Sequence, residues 1–294
     1  MGRLASRAAE LSPLDRNDHL FGGRLVGPTT IVLTEWNQLH DLAKHGWLYR
    51  GQRAAEWPLQ TSLERCCDRE SIAPDRRSYI ETEFIREFRR SYHQYAQHLP
   101  NPEAPLEWVS IMQHHGAPTR LLDFTYSIYV AAYFALEDAD LDSAIWAVNG
   151  PWALKESYRL FEGNKDQRDI DHTLRLLNEG DEEVLRRLFF ERPFVPLVAP
   201  VNPFRLNERL RVQKGVFLAP GTVELPFMDN LGLLDGWDRP EHFLKIVLPR
   251  DMRHEGIRAL SAMNVTSTSL FPGLDGFARS LGVYHISFNP VAWQ

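Results

Sequence analysis

The chain has 294 residues, 44% of them hydrophobic and 24% charged, which is the composition of an ordinary folded protein with enough apolar residues for a self-sufficient core. Lys and Arg number 33 against 39 Asp and Glu, a net charge of −6, which argues against a dominant basic footprint for nucleic acid and leaves room for a local basic patch. The two cysteines, Cys66 and Cys67, are adjacent, a spacing that suits neither a disulfide nor a zinc site, so two reduced thiols are expected.

No apolar run reaches the ~18 residues of a membrane span, and the first residues contain no apolar signal core. A cytoplasmic protein without a membrane partner is therefore expected. Residues 1–29 read as an N-terminal arm or edge strand. Residues 30–294 read as a single domain with a charged helical insertion at about 151–193.

Along the chain, Thr30–Leu33 reads as a strand, followed by a helix capped by Thr34 with Leu39 and Leu42 on its apolar face. Trp47, Leu48 and Tyr49 form the next strand, bracketed by Gly46 and Gly51. Ile80, Phe84, Phe88, Tyr92 and Tyr95 recur at helical spacing, and the Pro-rich PNPEAP ends that helix. LEWVSIMQHH is a second helix, with Gly116 as its C-cap and Pro118 barring continuation.

SIYVAAYFALED is apolar all round and is expected to be a buried central helix, with Asp123 or Thr125 as its N-cap. Asp123 is equally placed to pair with Arg120, and Arg120 to bridge to the strands. SAIWAVN, PFVPLVAPV, GVFLAP and FLKIVLP are strand candidates. DEEVLRRLFF, RHEGIRALSAMN and PGLDGFARSLGV are helices. Strands and helices interleave without a strict βαβ rhythm, which predicts an α+β fold.

Chemistry concentrates in few places. Arg50 ends an apolar strand beside Gly51, where a planar guanidinium can meet a phosphate pair. The stretch QHHGAPTRLLDF sets His114, His115, Arg120 and Asp123 around a turn that enters an apolar element, which suits an anion site. His114 and His115 are neighbours and chelate poorly, so no metal site is expected. No GxSxG, GxGxxG or GxxxxGK[ST] pattern occurs.

Tyr49-Arg50-Gly51-Gln52, Glu83 and Phe88, and the run Gln113–Thr125 together resemble the FRG domain family, named for its Phe/Tyr-Arg-Gly motif. The later RLRVQKGVF and LFPGLDGFARSL resemble its C-terminal motifs. The likeness runs from about residue 30 to about 285. Phe124 stands where the family often has Trp, and His114 rather than His115 fits its QHxG pattern.

The pattern is also similar to that of ADP-ribosyltransferases, which open with a strand bearing a Tyr-Arg-Gly-like motif. That likeness implies a mixed or antiparallel split β-sheet core with surrounding helices. It implies NAD as a substrate, an unknown macromolecular acceptor, and the role of a bacterial or phage toxin or defence effector with an immunity or antitoxin partner. Arg50, His114 and an acid, Asp275 or Glu83, would be catalytic. Arg50, Gln52, Tyr49, Arg120 and Gln213 would hold NAD. No Glu-x-Glu follows the Ser-Thr-Ser stretch, so the acid stays open between the two. A nucleotide- or anion-binding module without turnover, and a nuclease or other phosphoryl-transfer enzyme, are the alternatives.

Overall fold

The computed structural model describes residues 19–21, 24–97, 99–163, 181–202 and 208–283. Its centre is a seven-stranded sheet with strand order β3-β9-β6-β4-β5-β8-β7. The strands are β3 (Thr29–Val32), β4 (Trp47–Gln52), β5 (Leu122–Thr125), β6 (Ser143–Asn149), β7 (Val198–Val201), β8 (Gly215–Pro220) and β9 (Phe243–Leu248). All neighbours are antiparallel except β3 and β9. The fold is thus α+β with a mixed sheet. A separate antiparallel ribbon, β1 (His19–Phe21) with β2 (Arg24–Val26), lies in the expected N-terminal arm, whose residues 1–18 are outside the described residues.

The sheet has one weak seam. β4 pairs with β6 along its whole length, from Trp47↔Asn149 to Gln52↔Ala144, yet β4 and β5 share only the pair Tyr49↔Thr125. Beyond that pair the two strands splay, and the space between them becomes the cavity described below.

Each face of the sheet carries its own apolar layer. On one face Leu48, Trp146, Val148 and Phe243 pack against α4 (Pro105–His114), α6 (Gly150–Glu162), α7 (Glu182–Phe189) and α9 (Phe227–Gly232). On the other, Tyr49, Ile145, Ala147 and Ile246 pack against α5 (Ile128–Leu136) and α10 (Arg253–Ala262). The helix α5 is buried on nearly every side, as its all-apolar sequence requires. It lies so close to β4 that a Cβ on Gly51 would stand 2.0 Å from the Ala131 carbonyl oxygen. The glycine of the Tyr-Arg-Gly motif is therefore a packing requirement.

Local expectations are corrected at several points. β3 starts and ends one residue earlier than Thr30–Leu33. The following helix α1 (Gln38–Asp41) is a single turn, and Thr34 precedes it by too much to be its cap. Instead the Gln38 side chain accepts from the Thr34 N–H and donates to its hydroxyl. Helix α3 (Arg77–Tyr92) stops before Tyr95, which is 84% exposed. Its buried face carries Arg77, Ser78 and Glu81, while Ile80, Phe84, Phe88 and Tyr92 are only half-buried. At the end of α4, Ala117 N–H reaches the Met112 carbonyl and Gly116 N–H that of Gln113. This is a Schellman turn, with Gly116 at φ +79° as expected.

Asp123 and Thr125 belong to β5, a strand not anticipated from sequence, and α5 is capped by Ser127, whose hydroxyl accepts from Val130 N–H. Asp181 caps α7 in the same way. Of the helical stretch at 151–193, α6 and α7 are described and residues 164–180 lie outside the described residues. The two cysteines are both free. Among the described residues no helix is long and apolar enough to cross a membrane.

Candidate functional site

A cavity of about 710 Å³ opens at the seam, within the size range of small-molecule and cofactor sites. Tyr49 to Arg53 of β4 and the loop after it form one wall, and Asp123 to Thr125 of β5 another. Trp57, Pro58, Gln60 and Arg65 close one side. Phe134, Glu137 and Asp138, at the end of α5, close a second, with Arg209 and Gln213 beyond them. Four guanidinium groups and three carboxylates therefore share one cavity with exposed aromatic surface.

Arg50 is the centre of the basic wall. Its Nη1 donates to the Asp123 carbonyl at 2.7 Å, which bridges the seam where strand pairing has ceased. Its Nε is wholly enclosed without a hydrogen-bond partner. Burial lowers the guanidinium pKa from its ordinary value, the Asp123 carboxylate opposes this, and Arg65 adds to it.

Glu137 is one of the three carboxylates that line the same cavity. It follows the last turn of α5 and accepts a hydrogen bond from Tyr133 Oη at 2.9 Å. Burial raises its pKa, the Tyr133 hydroxyl lowers it, Asp138 raises it, and Arg279 and Arg53 lower it. Its neighbour Asp138 meets Arg53 at 3.9 Å, with both side chains more than half exposed, a contact of little energetic weight. Arg53 also lies over the Trp57 ring at 5.7 Å.

The QHHGAPTRLLDF stretch sorts into separate jobs. Gln113 donates to the Asp123 carboxylate at 2.8 Å and accepts from the Thr119 hydroxyl, so these three clasp the turn. Arg120 points away from the cavity. It pairs with Glu81 of α3 through two hydrogen bonds, donates to the Pro220 carbonyl, and lies 4.8 Å from the Phe190 ring. The expected Arg120–Asp123 pair is thus replaced by a buried Arg120–Glu81 pair. His114 and His115 are exposed and meet edge to face at 5.0 Å. Burial lowers the His114 pKa first, then the charges of His115 and Arg209.

Of the site residues expected from sequence, Arg50, Tyr49, Gln52 and Gln213 line the cavity together. The Tyr49 hydroxyl is already engaged, accepting from Lys44 N–H and donating to the Leu42 carbonyl. Gln213 donates to the Leu270 carbonyl, and its own carbonyl accepts from the Thr125 hydroxyl. His114, Arg120, Glu83 and Asp275 are not among the lining residues. Glu83 pairs with Arg86 one turn along α3. Asp275 is exposed in the first turn of α12 (Leu274–Ser280).

Glu137, Asp138, Trp57, Arg65 and Arg209 escaped sequence reasoning. For the acidic pair a signal existed: Glu137-Asp138 are the first charges after an apolar helix and end it beside the Tyr-Arg-Gly strand. Nothing local marked Arg65 or Arg209, which the fold brings from distant segments. Among the described residues no three His, Cys, Asp or Glu side chains gather as a metal-holding group.

Comparison with curated proteins and with solved structures finds no match. The family model for the FRG domain matches residues 45–143, the span that runs from just before β4 to the start of β6. That span contains Arg50, the Gln113–Asp123 clasp, and the Glu137 wall. Residues 45–143 of the chain are therefore similar to the FRG domain, and the match covers about a third of the sequence.

Proposed function

We propose that the seam cavity binds NAD as a substrate and that the protein is an ADP-ribosyltransferase-like enzyme. The observation that carries this reading is a guanidinium, Arg50, and a desolvated carboxylate, Glu137, on the walls of one cavity. The sheet that splays at β4 and β5, with the cavity in the gap, supports the kinship with that fold class. Arg50, aided by Arg65, holds the pyrophosphate, and the Trp57 and Phe134 rings offer flat apolar surface to the heterocycles.

In the reaction the bond between ribose C1′ and the nicotinamide nitrogen breaks, and nicotinamide leaves with the electron pair. The ribose passes through a state with positive charge on C1′ and the ring oxygen. A carboxylate fixed beside it stabilises that charge without reorganisation. Glu137 is our candidate for this group. The acceptor's nucleophilic oxygen or nitrogen then bonds to C1′ and gives up its proton, which a carboxylate of raised pKa takes more readily. Water in the acceptor's place yields free ADP-ribose.

The same carboxylate argues against a pure anion-binding module, because a cavity that only holds an anion gains nothing from a desolvated Glu. NAD is an intracellular metabolite, so a cytoplasmic setting goes with this chemistry. Depleting it, or modifying an essential acceptor, harms a cell, which fits a toxin or defence effector with an immunity partner.

The test is nicotinamide release from NAD by the pure protein, with and without cell lysate. Arg50→Ala and Glu137→Gln are each expected to lower the rate by about 100-fold or more; Glu137→Gln should melt near wild type, and Arg50→Ala should stay folded with a lower melting point from the lost seam hydrogen bond. No release under either condition, and no binding of NAD, would overturn the reading. Cleavage of DNA or RNA that needs Arg50 would establish the phosphoryl-transfer alternative.

A further inference from the structure

Gln52 sits two residues after Arg50 on the same face of β4, so their side chains project in parallel about 7 Å apart. Its amide is held at both ends. Trp146 Nε1 donates to Gln52 Oε1 at 2.6 Å, and Gln52 Nε2 donates to the Pro58 carbonyl at 3.2 Å. An indole nitrogen is only ever a donor, and a backbone carbonyl only an acceptor. The orientation of the amide is therefore dictated by its two partners. The second N–H of Nε2 is the one donor that Gln52 has left for the cavity it lines.

The indole itself has no freedom to move. Trp146 is wholly buried and stacks on Phe243, with ring centroids 5.4 Å apart and planes 13° from parallel. Lys245, two residues further along β9, sets its ammonium 5.1 Å from the same ring. Arg50, Trp146 and Lys245 are aligned across β4, β6 and β9. The Trp146 N–H is thus a rigid fixture of the sheet, and it lies behind the cavity wall and outside the ligand's reach.

We propose that Trp146 is a positioning residue that locks the Gln52 amide with its free N–H toward the ligand, so that Gln52 offers a donor there and selects an acceptor oxygen. This rests on the NAD reading above, and it makes the selected group a pyrophosphate oxygen beside the one held by Arg50.

The experiment is calorimetric titration of the full chain with ADP-ribose and, separately, with inorganic pyrophosphate. Four proteins are compared at pH 7.5 and pH 5.5: wild type, Gln52→Glu, Trp146→Phe and the double variant. Gln52→Glu keeps the shape and the acceptor for Trp146 but replaces the free N–H by anionic oxygen. ADP-ribose affinity is expected to fall roughly 10- to 100-fold at pH 7.5, the loss of a donor to a charged group. The penalty should shrink at pH 5.5, where the carboxyl begins to regain a proton. Trp146→Phe is expected to weaken binding by about 3- to 10-fold, and the double variant to fall short of the product of the two losses. Should Trp146→Phe fail to fold, benzothienylalanine at that position keeps the ring and removes only the N–H.

Wild-type affinity in Gln52→Glu, or strictly multiplicative losses in the double variant, would overturn the assignment. Wild type that binds pyrophosphate but not ADP-ribose would sink the NAD reading alone, with the Gln52 comparison then decided on pyrophosphate. Wild type that binds neither overturns both.

Discussion

Arg120 stands inside the family motif, yet its position makes it a brace, and removing it tests that claim. The side chains of Arg120 and Glu81 are 2% and 5% exposed, and the pair is joined by Nε to Oε1 at 2.7 Å and by Nη2 to Oε2. A third contact, Nη1 to the Pro220 carbonyl at 3.2 Å, ties the end of β8 to α3. Arg120→Met leaves Glu81 as an uncompensated buried charge, which costs about 3–5 kcal/mol. Adding Glu81→Leu removes the stranded charge and fills the space with apolar atoms, so most of the loss returns. Urea unfolding reads both, and the single variant's midpoint is expected to fall by more than about 1 M. An Arg120→Met protein that unfolds like wild type but no longer binds NAD would refute the brace and return Arg120 to the ligand.

Three further expectations concern stability. Burial pushes the Glu64 carboxyl from an ordinary 4.5 up to about 7, although it accepts a hydrogen bond from Phe227 N–H. A raised carboxyl pKa favours the fold when protonated, so this contribution is complete below about 4.5 and lost as pH rises through about 7. Glu64→Gln is therefore expected to stabilise the protein at pH 8 by up to ~3 kcal/mol and by almost nothing at pH 4, read from urea midpoints at both values. Ser127→Ala removes the cap of α5 and is expected to cost about 1 kcal/mol, whereas Asp123→Ala, with an exposed side chain, costs less. Equal losses in those two variants would show that the Asp123–Gln113 clasp contributes as much to the fold as the Ser127 cap. Gly51→Ala sets a methyl against the α5 backbone and is expected to cost about 3 kcal/mol or to prevent folding; a stable variant would show that α5 yields easily.

Much of the fold was legible because its signals are local. The apolar run at Ile128–Leu136 announces a buried helix, and Gly116 before Pro118 announces the turn that ends α4. β5 was not legible, because LDFT is too short to show alternation and earns its strand state from pairing with β8, some 90 residues on. The reach of α3 was overread because Tyr95 continues the helical spacing past the last residue that has anything to pack against. The most deeply buried positions on that helix are polar, and Glu81 is buried only because Arg120 meets it there.

The site divides along the same line. By itself the sequence determined the likeness of residues 45–143 to the FRG domain, the two motifs, and the choice of Arg50 and Gln52 as the polar end of an apolar strand, since all of these are properties of contiguous residues. Tertiary structure alone decided which acid joins them. Glu83 and Asp275 are equally plausible carboxylates in one dimension, and the fold leaves both outside the cavity while the end of α5 carries Glu137 into its wall. It also decided that Arg120 braces while Arg65 and Arg209 face the cavity. The physical reason is that a guanidinium or carboxylate has no intrinsic preference between ion pair, cap and ligand. Its surroundings assign the task, and those come from segments that meet only when the sheet closes around its seam.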